Sequence, residues 1–380
     1  MTRLFLEFFK TEKASGLVLI VCTAISLTLA NSSFASWYTS VWQLPFLGQD
    51  VSYWINDGLM AVFFLLIGLE IEREIYVGEL SHPRKAMVPI VAAVGGMLVP
   101  ALLHFSVNAG TITQRGMGIP MATDIAFALG VLSLLGNRVP LALKVFLTAL
   151  AIIDDLGAIL VIAFFYTSAL SVSNLLIAAL VAAVLLACNR LRIESLTVYV
   201  IGGVFLWHFI HLSGIHATVS GVVLAFLIPF RKGDEHSPSA RLQHFLHYPV
   251  AFLVLPLFAL ANTSLTIAPG WHTALLEPNS IGIALGLVLG KPIGITLFAA
   301  AGKWLRILIL PAGLAWRHIA SVSVLAGIGF TMSIFITLLA FQETVLIQQS
   351  KIAVLASSLV TGLLGYAMVR LSLRRPIPAE

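Results

Sequence analysis

The sequence predicts an all-α polytopic membrane protein of about 12 transmembrane helices, built as inverted-topology repeats with two broken helices crossing at the midplane. Three observations carry this: an apolar composition, regularly spaced apolar segments, and polar, Pro- or Gly-bearing interruptions in two of them. Of the 380 residues, 59% are hydrophobic and only 10% charged, with a mean hydropathy of +0.99. A water-soluble domain carries roughly 25% charged residues, so a soluble globule is excluded. The two cysteines, Cys22 and Cys188, lie in apolar runs and suit helix packing better than a disulfide framework or metal cluster.

Taken in order, MTRLFLEFFKTEK reads as a short interfacial helix. The run from Ala14 to Ala30 lacks a cleavage site and is long enough to be a retained first span. Further apolar segments follow near 52–72, 87–107, 117–135, 141–167, 173–189, 196–210, 215–230, 245–262, 281–302, 319–341 and 350–371. With the N-terminus inside, one side of the membrane receives Arg3, Lys10, Lys13, Arg73, Arg84, Lys85, Arg138, Arg190, Arg192, Arg231, Lys232, Arg241, Lys303, Arg306, Arg317, Arg370, Arg374 and Arg375, or 18 of the 22 basic residues. Only Arg115 and Lys351 fall on the other side. This bias places both termini in the cytoplasm, and it accounts for a pI near 9.3 without any nucleic-acid partner.

Within the spans, Asp57, Glu70, Asp124, Asp154, Asp155 and Lys291 stand out. A carboxylate near the bilayer centre costs on the order of 2.5 to 3.5 kcal/mol, and Asp154 and Asp155 place two side by side in LTALAIIDDLGAILVIAFF. Something must offset them: protons, a buried lysine, or a transported metal ion. On a helix the two acids point about 100° apart, so one can face a water-filled cavity and the other a neighbouring helix. Lys291 reads as the only basic residue well inside a span and therefore as the partner of one of them. Asp57, beside Asn56 near the outer end of its helix, is equally consistent with a polar cap. Glu70, followed by Glu72, Arg73 and Glu74, is either a solvated helix end or a cation-attracting funnel. Lys144 lies near an interface and can snorkel.

Two segments look broken. GIPMATDIAFALG contains Pro120, Thr123 and Asp124, and AGIGFTMSIF contains Gly327, Gly329 and Thr331. Proline frees backbone groups that only a polar cavity or neighbouring groups can satisfy; glycines at such places also serve ordinary helix packing. The two segments are the middle helices of two three-helix groups that begin on opposite sides of the membrane, the pattern of an inverted repeat. VGGMLVPALL and LGKPIGITLF are the corresponding first helices. The expected organisation is one transporter domain over residues 1–380, with core helices at about 87–167 and 281–371 and the remaining helices as a scaffold. Where two broken helices cross, Asp124 can compensate the positive helix N-termini and Lys291 the negative C-termini.

These residues resemble the NhaA family of bacterial sodium/proton antiporters. The resemblance covers essentially the whole chain through WINDGLMAVFFLLIGLEIERE, IPMATDIAFALGVLSLLGNRVPLALKVFL, ALAIIDDLGAI, SGIHATVSG, GKPIGI and GIGFTMSIFI, in family order. It implies that Asp154 and Asp155 bind Na+ and protons, that Thr123 and Asp124 line the crossing, that Lys291 pairs with the acid site, and that Gly329 sits at the second break. His216 is similar to the family histidine tied to pH response, and Glu70 and Glu74 are assigned with it. From the residues alone, a single histidine between Gly214 and Thr218 at a helix start is more often a local hydrogen-bonding group; with the resemblance the two readings stand level. The sequence departs from the family pattern at Gln243 and Ala240, where Glu and Lys are expected in a pH-responsive cluster. Its first outer loop, around Trp42 to Val51, is also shorter than the hairpin implied for a homodimer.

The implied activity is electrogenic export of Na+, and of Li+, in exchange for about two H+ by alternating access. It would serve sodium and pH homeostasis in the bacterial inner membrane under pH regulation. It needs no enzymatic chemistry and no cofactor; the ions are substrates and membrane lipid is the surrounding partner. Two protons moved for one sodium transfer one net charge, worth about 2.3 kcal/mol per 100 mV. That sustains roughly a fifty-fold sodium gradient without a pH difference. The second proton has two candidate carriers, Asp154 and Lys291. An aspartyl protease would need its acids on different helices, and a channel would need pore-lining rings from a symmetric assembly. A primary pump would need a phosphate-binding loop or soluble domain. A sodium-coupled symporter for an organic solute is the nearest rival.

Overall fold

The computed structural model describes residues 3–167, 170–267, 270–306, 308 and 314–374. Arg375 lies outside the described residues, as do the side chains of Arg3, Lys10, Arg84 and Lys85. The chain is α1 (Arg3–Ala30), α2 (Ala35–Trp42), a two-stranded hairpin of β1 (Pro45–Phe46) and β2 (Gln49–Asp50), α3 (Val51–Tyr76), α4 (Pro83–Asn108), a 3-10 arm (Ile112–Met121), α5 (Ile125–Ser133) and α6 (Leu141–Phe165). There follow α7 (Val172–Arg190), α8 (Leu196–Leu212), α9 (Val219–Leu227), α10 (Pro238–Asn262), α11 (Trp271–Ala274), α12 (Pro278–Trp304), α13 (Trp316–Leu325), α14 (Phe330–Ala340) and α15 (Thr344–Ser372).

All twelve predicted spans fall on helix. Among the described residues, eight helices are long and apolar enough to cross a membrane, or ten when each broken pair counts as one span. The other two, α8 and α9, have 17 and 9 residues. This is a helical, multi-pass membrane protein. The separate interfacial helix expected at the N-terminus is instead the start of one continuous helix from Arg3 to Ala30.

The helices form two compact units. The first comprises Met1–Ala35, His82–Ala158 and Asn262–Glu380. Its centre is the crossing of α4 and α12, where a methyl group on Gly95 would strike the Gly294 carbonyl oxygen and one on Gly294 would strike that of Gly95. Such mutual backbone contact is how membrane helices gain packing without a hydrophobic driving force. Further along the same contact Gly290 lies against Pro100. Gly16 of α1 also lies against Gly130 of α5, which seats the first helix on this unit.

Both predicted breaks are present. The 3-10 arm ends at Pro120 and Met121, Ala122 is extended, and α5 restarts after Asp124 with a 43° bend; α13 and α14 are bent by 51° around Gly327 to Gly329. The breaks touch: the Asp124 N–H donates to the Ile328 carbonyl at 2.7 Å, and Ser333 Oγ donates to the Ile119 carbonyl at 2.6 Å. Backbone groups freed by each break thus find partners in the other, as buried irregular backbone in a membrane requires.

One expectation is overturned here. Lys351 is no loop residue, because α15 begins at Thr344 and the lysine is only 8% exposed, donating to Asn262 Oδ1 at 3.2 Å. Lys291 is therefore not the only basic residue inside a span. The polar run Gln348 to Lys351 depressed the local hydropathy and hid the first turns of this helix.

The second unit comprises Ser36–Ser81 and Ile159–Ala261. Leu47 and Gly48, at φ +50° and +85°, turn a hairpin of two-residue strands. Asp50 caps α3 by accepting from the Tyr53 N–H at 2.6 Å. Asp57 is thus not the cap; it lies in a π-helical turn over Trp54–Leu59. Helices α3 and α9 approach through Gly68 and Gly221, which lie against Val222 and Ala61. Gln243 and Ala240 sit in α10, not in a loop, since Ser237 caps that helix and Pro238 opens it.

Candidate functional site

The acid pair sits in the middle of α6, a helix rich in Ala, Leu and Ile that is long enough to bury its central turns; Asp154 is 0% and Asp155 1% exposed. Facing it, α12 presents Lys291, also fully buried, at the end of a π-helical stretch over Gly286–Gly290. Glycines let the helices approach: an added methyl on Gly157 would run into Met97, and one on Gly96 would lie 4.0 Å from Asp154 Oδ1.

Lys291 Nζ donates to Asp154 Oδ2 at 2.9 Å and to Thr123 Oγ1 at 2.5 Å. Thr123 Oγ1 lies 2.8 Å from Asp154 Oδ2 and 3.0 Å from the Ala326 carbonyl. A hydroxyl has one proton, so these two acceptors share it. Asp154 Oδ1 accepts no hydrogen bond among the described residues. Asp155, the next residue of α6 and also buried, adds a second carboxyl group beside this pair. With all three groups ionised the cluster carries one net negative charge, which one monovalent cation or one proton neutralises. Loss of the lysine proton raises the deficit to two.

Asp124 is placed differently. Its Oδ1 accepts from the Phe127 N–H at 2.9 Å, capping α5, and its Oδ2 accepts from the Thr331 N–H at 3.0 Å and Thr331 Oγ1 at 2.5 Å, at the start of α14. One carboxylate thereby faces two helix N-termini, where negative charge is favoured. Among the described residues Lys291 makes no such direct contact with a helix C-terminus; the Ala326 carbonyl, past the end of α13, is met by Thr123 instead. Gly329 lies at the second break as the N-cap of α14, pressed against Ser333.

The residues assigned to pH response lie in the second unit and do not form one cluster. His216 Nδ1 is 3.9 Å from Asp57 Oδ1, and His211 Nδ1 is 3.9 Å from the other oxygen of Asp57. Glu70 lies thirteen residues further along α3, roughly 20 Å at 1.5 Å per residue. It is 5% exposed, which removes the reading of a solvated helix end, and its Oε1 is 4.0 Å from His247 Nδ1. Glu72, also buried, accepts from Ser239 Oγ at 3.0 Å, while Glu74 pairs with Arg73 at 3.3 Å.

The sequence marks Thr331 as part of the second break but gives no sign of the two serines that help hold it. Ser333 acts as above, and Ser358 of α15 accepts the Phe330 N–H at 3.2 Å. Their signal was weak, two small polar residues in apolar helices, because a serine in a span can satisfy itself on its own helix.

A family described as Na+/H+ antiporter 1 matches residues 6–369. The Na(+)/H(+) antiporter NhaA 1 of Flavobacterium johnsoniae is 55% identical over 370 residues, covering 97% of each chain. The NhaA antiporter of Flavobacterium psychrophilum is 56% identical over 99% of this chain and 98% of its own. That of Cytophaga hutchinsonii is 54% identical over 100% and 98%. With a match along nearly its whole length and relatives of the same extent, this chain belongs to the Na+/H+ antiporter 1 family, whose members are transporters rather than enzymes.

Proposed function

We propose that this protein exchanges Na+ for H+ across the bacterial cytoplasmic membrane, with Asp154 and Asp155 as the shared ion and proton site. The observation that carries the reading is the fully buried Lys291–Asp154 ion pair, set beside a second buried acid where two broken helices meet. A sodium ion entering this cluster competes with protons for the carboxylates and with Lys291 for Asp154. Exchange is obligatory when the site reorients loaded with either ion and not when empty, which is alternating access. Thr123 holds Lys291 and Asp154 together and links them to the Ala326 carbonyl, so occupancy of the acids is felt at the crossing.

The proposed stoichiometry is about two H+ for one Na+, with Li+ as a second substrate and N- and C-termini in the cytoplasm. The second proton belongs to the Asp154–Lys291 pair, since displacing the lysine from its acid leaves an ammonium in a site too apolar to hold it charged. His216 with Asp57, and Glu70 with Glu74, are proposed to adjust activity to pH as two separate groups. The short Pro45–Asp50 hairpin is the proposed contact of a weak homodimer in membrane lipid.

The test is sodium-induced pH change in proteoliposomes, beside Asp155→Asn and with the membrane potential clamped. Expected are proton movement in the wild type, loss of at least about a hundredfold in the variant, and a rate that depends on voltage. Sodium movement without protons, dependent on an organic solute, would replace antiport by symport; normal exchange by the variant would remove Asp155 from the site.

A further inference from the structure

At the far end of the first unit from Lys291 along α12, a second polar cluster is sealed among apolar helices. His104, Asn279 and Ser350 are 0%, 2% and 0% exposed. The chain of hydrogen bonds has one consistent direction: His104 Nε2 donates to Asn279 Oδ1 at 3.2 Å, Asn279 Nδ2 to Ser350 Oγ at 2.7 Å, and Ser350 Oγ to the Leu346 carbonyl at 2.7 Å. It joins α4 to α12 to α15. Nearby, Asn108 Nδ2 donates to the Pro278 carbonyl at 3.1 Å, and Thr113 Oγ1 donates to Asn108 Oδ1 at 2.7 Å, so the 3-10 arm is tied to the same place.

The arm lies along α12 in parallel. A methyl on Gly116 of the arm would sit 3.1 Å from Asn279 Oδ1 and from His104 Cε1. One on Gly286 of α12 would sit 2.6 Å from Pro120 Cβ. Three residues beyond Pro120, Thr123 meets Lys291. The contacts run 116 to 279, 120 to 286 and 123 to 291, advancing in the same sense on both segments. A slip at the first would displace the last, because the chain between them is 3-10 and extended backbone packed side to side with no slack. On Gly282 the added methyl would meet Asn108 and His104, so the histidine ring packs closely against α12.

We propose that His104 and Asn279 are positioning residues for the transport site: their hydrogen bond fixes α4 against α12 where Gly116 packs on both side chains, and together with the Thr113–Asn108 bond this seats the 3-10 arm in the register in which Thr123 reaches Lys291 and Asp154. The inference rests on the reading of that cluster as the ion site. His104 Nδ1 has no hydrogen-bond partner among the described residues, so the ring is held through Nε2 alone; breaking the buried chain at His104 or Asn279 strands the next member.

The experiment measures half-saturating sodium and maximal rate in proteoliposomes for His104→Leu, His104→Gln, Asn279→Leu and Ser350→Ala, each also in a Thr123→Val background. His104→Leu and Asn279→Leu are expected to raise half-saturating sodium about tenfold, and His104→Gln, which keeps a side-chain N–H donor, to restore it to within about twofold. In the Thr123→Val background the increase disappears, because the register no longer has a hydroxyl to place. Should the leucine variants fail to accumulate, Ser350→Ala, which removes a single hydroxyl, carries the same comparison with an expected increase of about threefold. Unchanged sodium dependence, His104→Gln as impaired as His104→Leu, or full additivity with Thr123→Val overturns the proposal. Exchange surviving in Asp155→Asn overturns the underlying reading instead, so the two failures are told apart.

Discussion

Asp124 and Asp154 are the same chemical group, equally buried and in the same unit, yet their surroundings differ in kind. Asp124 has both oxygens committed, to the Phe127 N–H on one side and to the Thr331 N–H and hydroxyl on the other. All its donors are neutral and belong to helix starts, so its charge is spread over two dipoles that stay in place. Asp154 has one oxygen committed to a lysine and a threonine and the other without a hydrogen bond among the described residues. Its partner is a lysine ammonium, which in the proposed cycle releases a proton or lets go. A carboxylate wired into fixed dipoles acts as structure, whereas one balanced against a single cation can exchange that cation for another.

The strongest way to break the comparison is Asp154→Ala. Removing one member of a buried pair typically costs about 3 to 5 kcal/mol, because the other is left uncompensated. The variant is expected to melt well below the wild type in detergent and to lose the stabilisation that added sodium gives. The double variant Asp154→Ala with Lys291→Met removes both charges and is expected to recover most of the melting temperature with no exchange. Recovery of exchange there would show that the pair is not the site.

Asp124→Leu is expected to cost less, about 2 to 3 kcal/mol, the loss of capping bonds at two helix starts. Its signature is a lowered melting temperature that still rises when sodium is added. A melt that no longer responds to sodium would move Asp124 from scaffold to site. Smallest of all, Thr331→Val removes one hydroxyl bond to Asp124 while its N–H remains, at about 1 kcal/mol. Exchange within a few-fold of wild type would sharpen the contrast, and a loss as large as that of Asp154→Ala would erase it.

The reading of sequence succeeded where chemistry is local. Adjacent carboxylates in a 25-residue apolar helix admit few explanations, and proline beside threonine and aspartate marks a break wherever the helix packs. It failed where a helix end is polar, as at Lys351, and at Asp57 it left open a cap that the structure gives to Asp50. Hydropathy averages over a window and cannot tell a polar first turn from a loop.

What the sequence determined by itself is the class of molecule, the places of the spans and breaks, and the acids and lysine that must be neutralised, because the cost of charge in lipid is set by residue type and depth. Only the tertiary structure decided that Lys291 pairs with Asp154, that Asp124 serves two helix starts, and that His104 and Asn279 meet across α4 and α12. Those partners lie 137, 207 and 175 residues apart. Such pairings depend on close approaches between elements, as of α4 and α12 at Gly95 and Gly294, a fit of surfaces that no single segment contains.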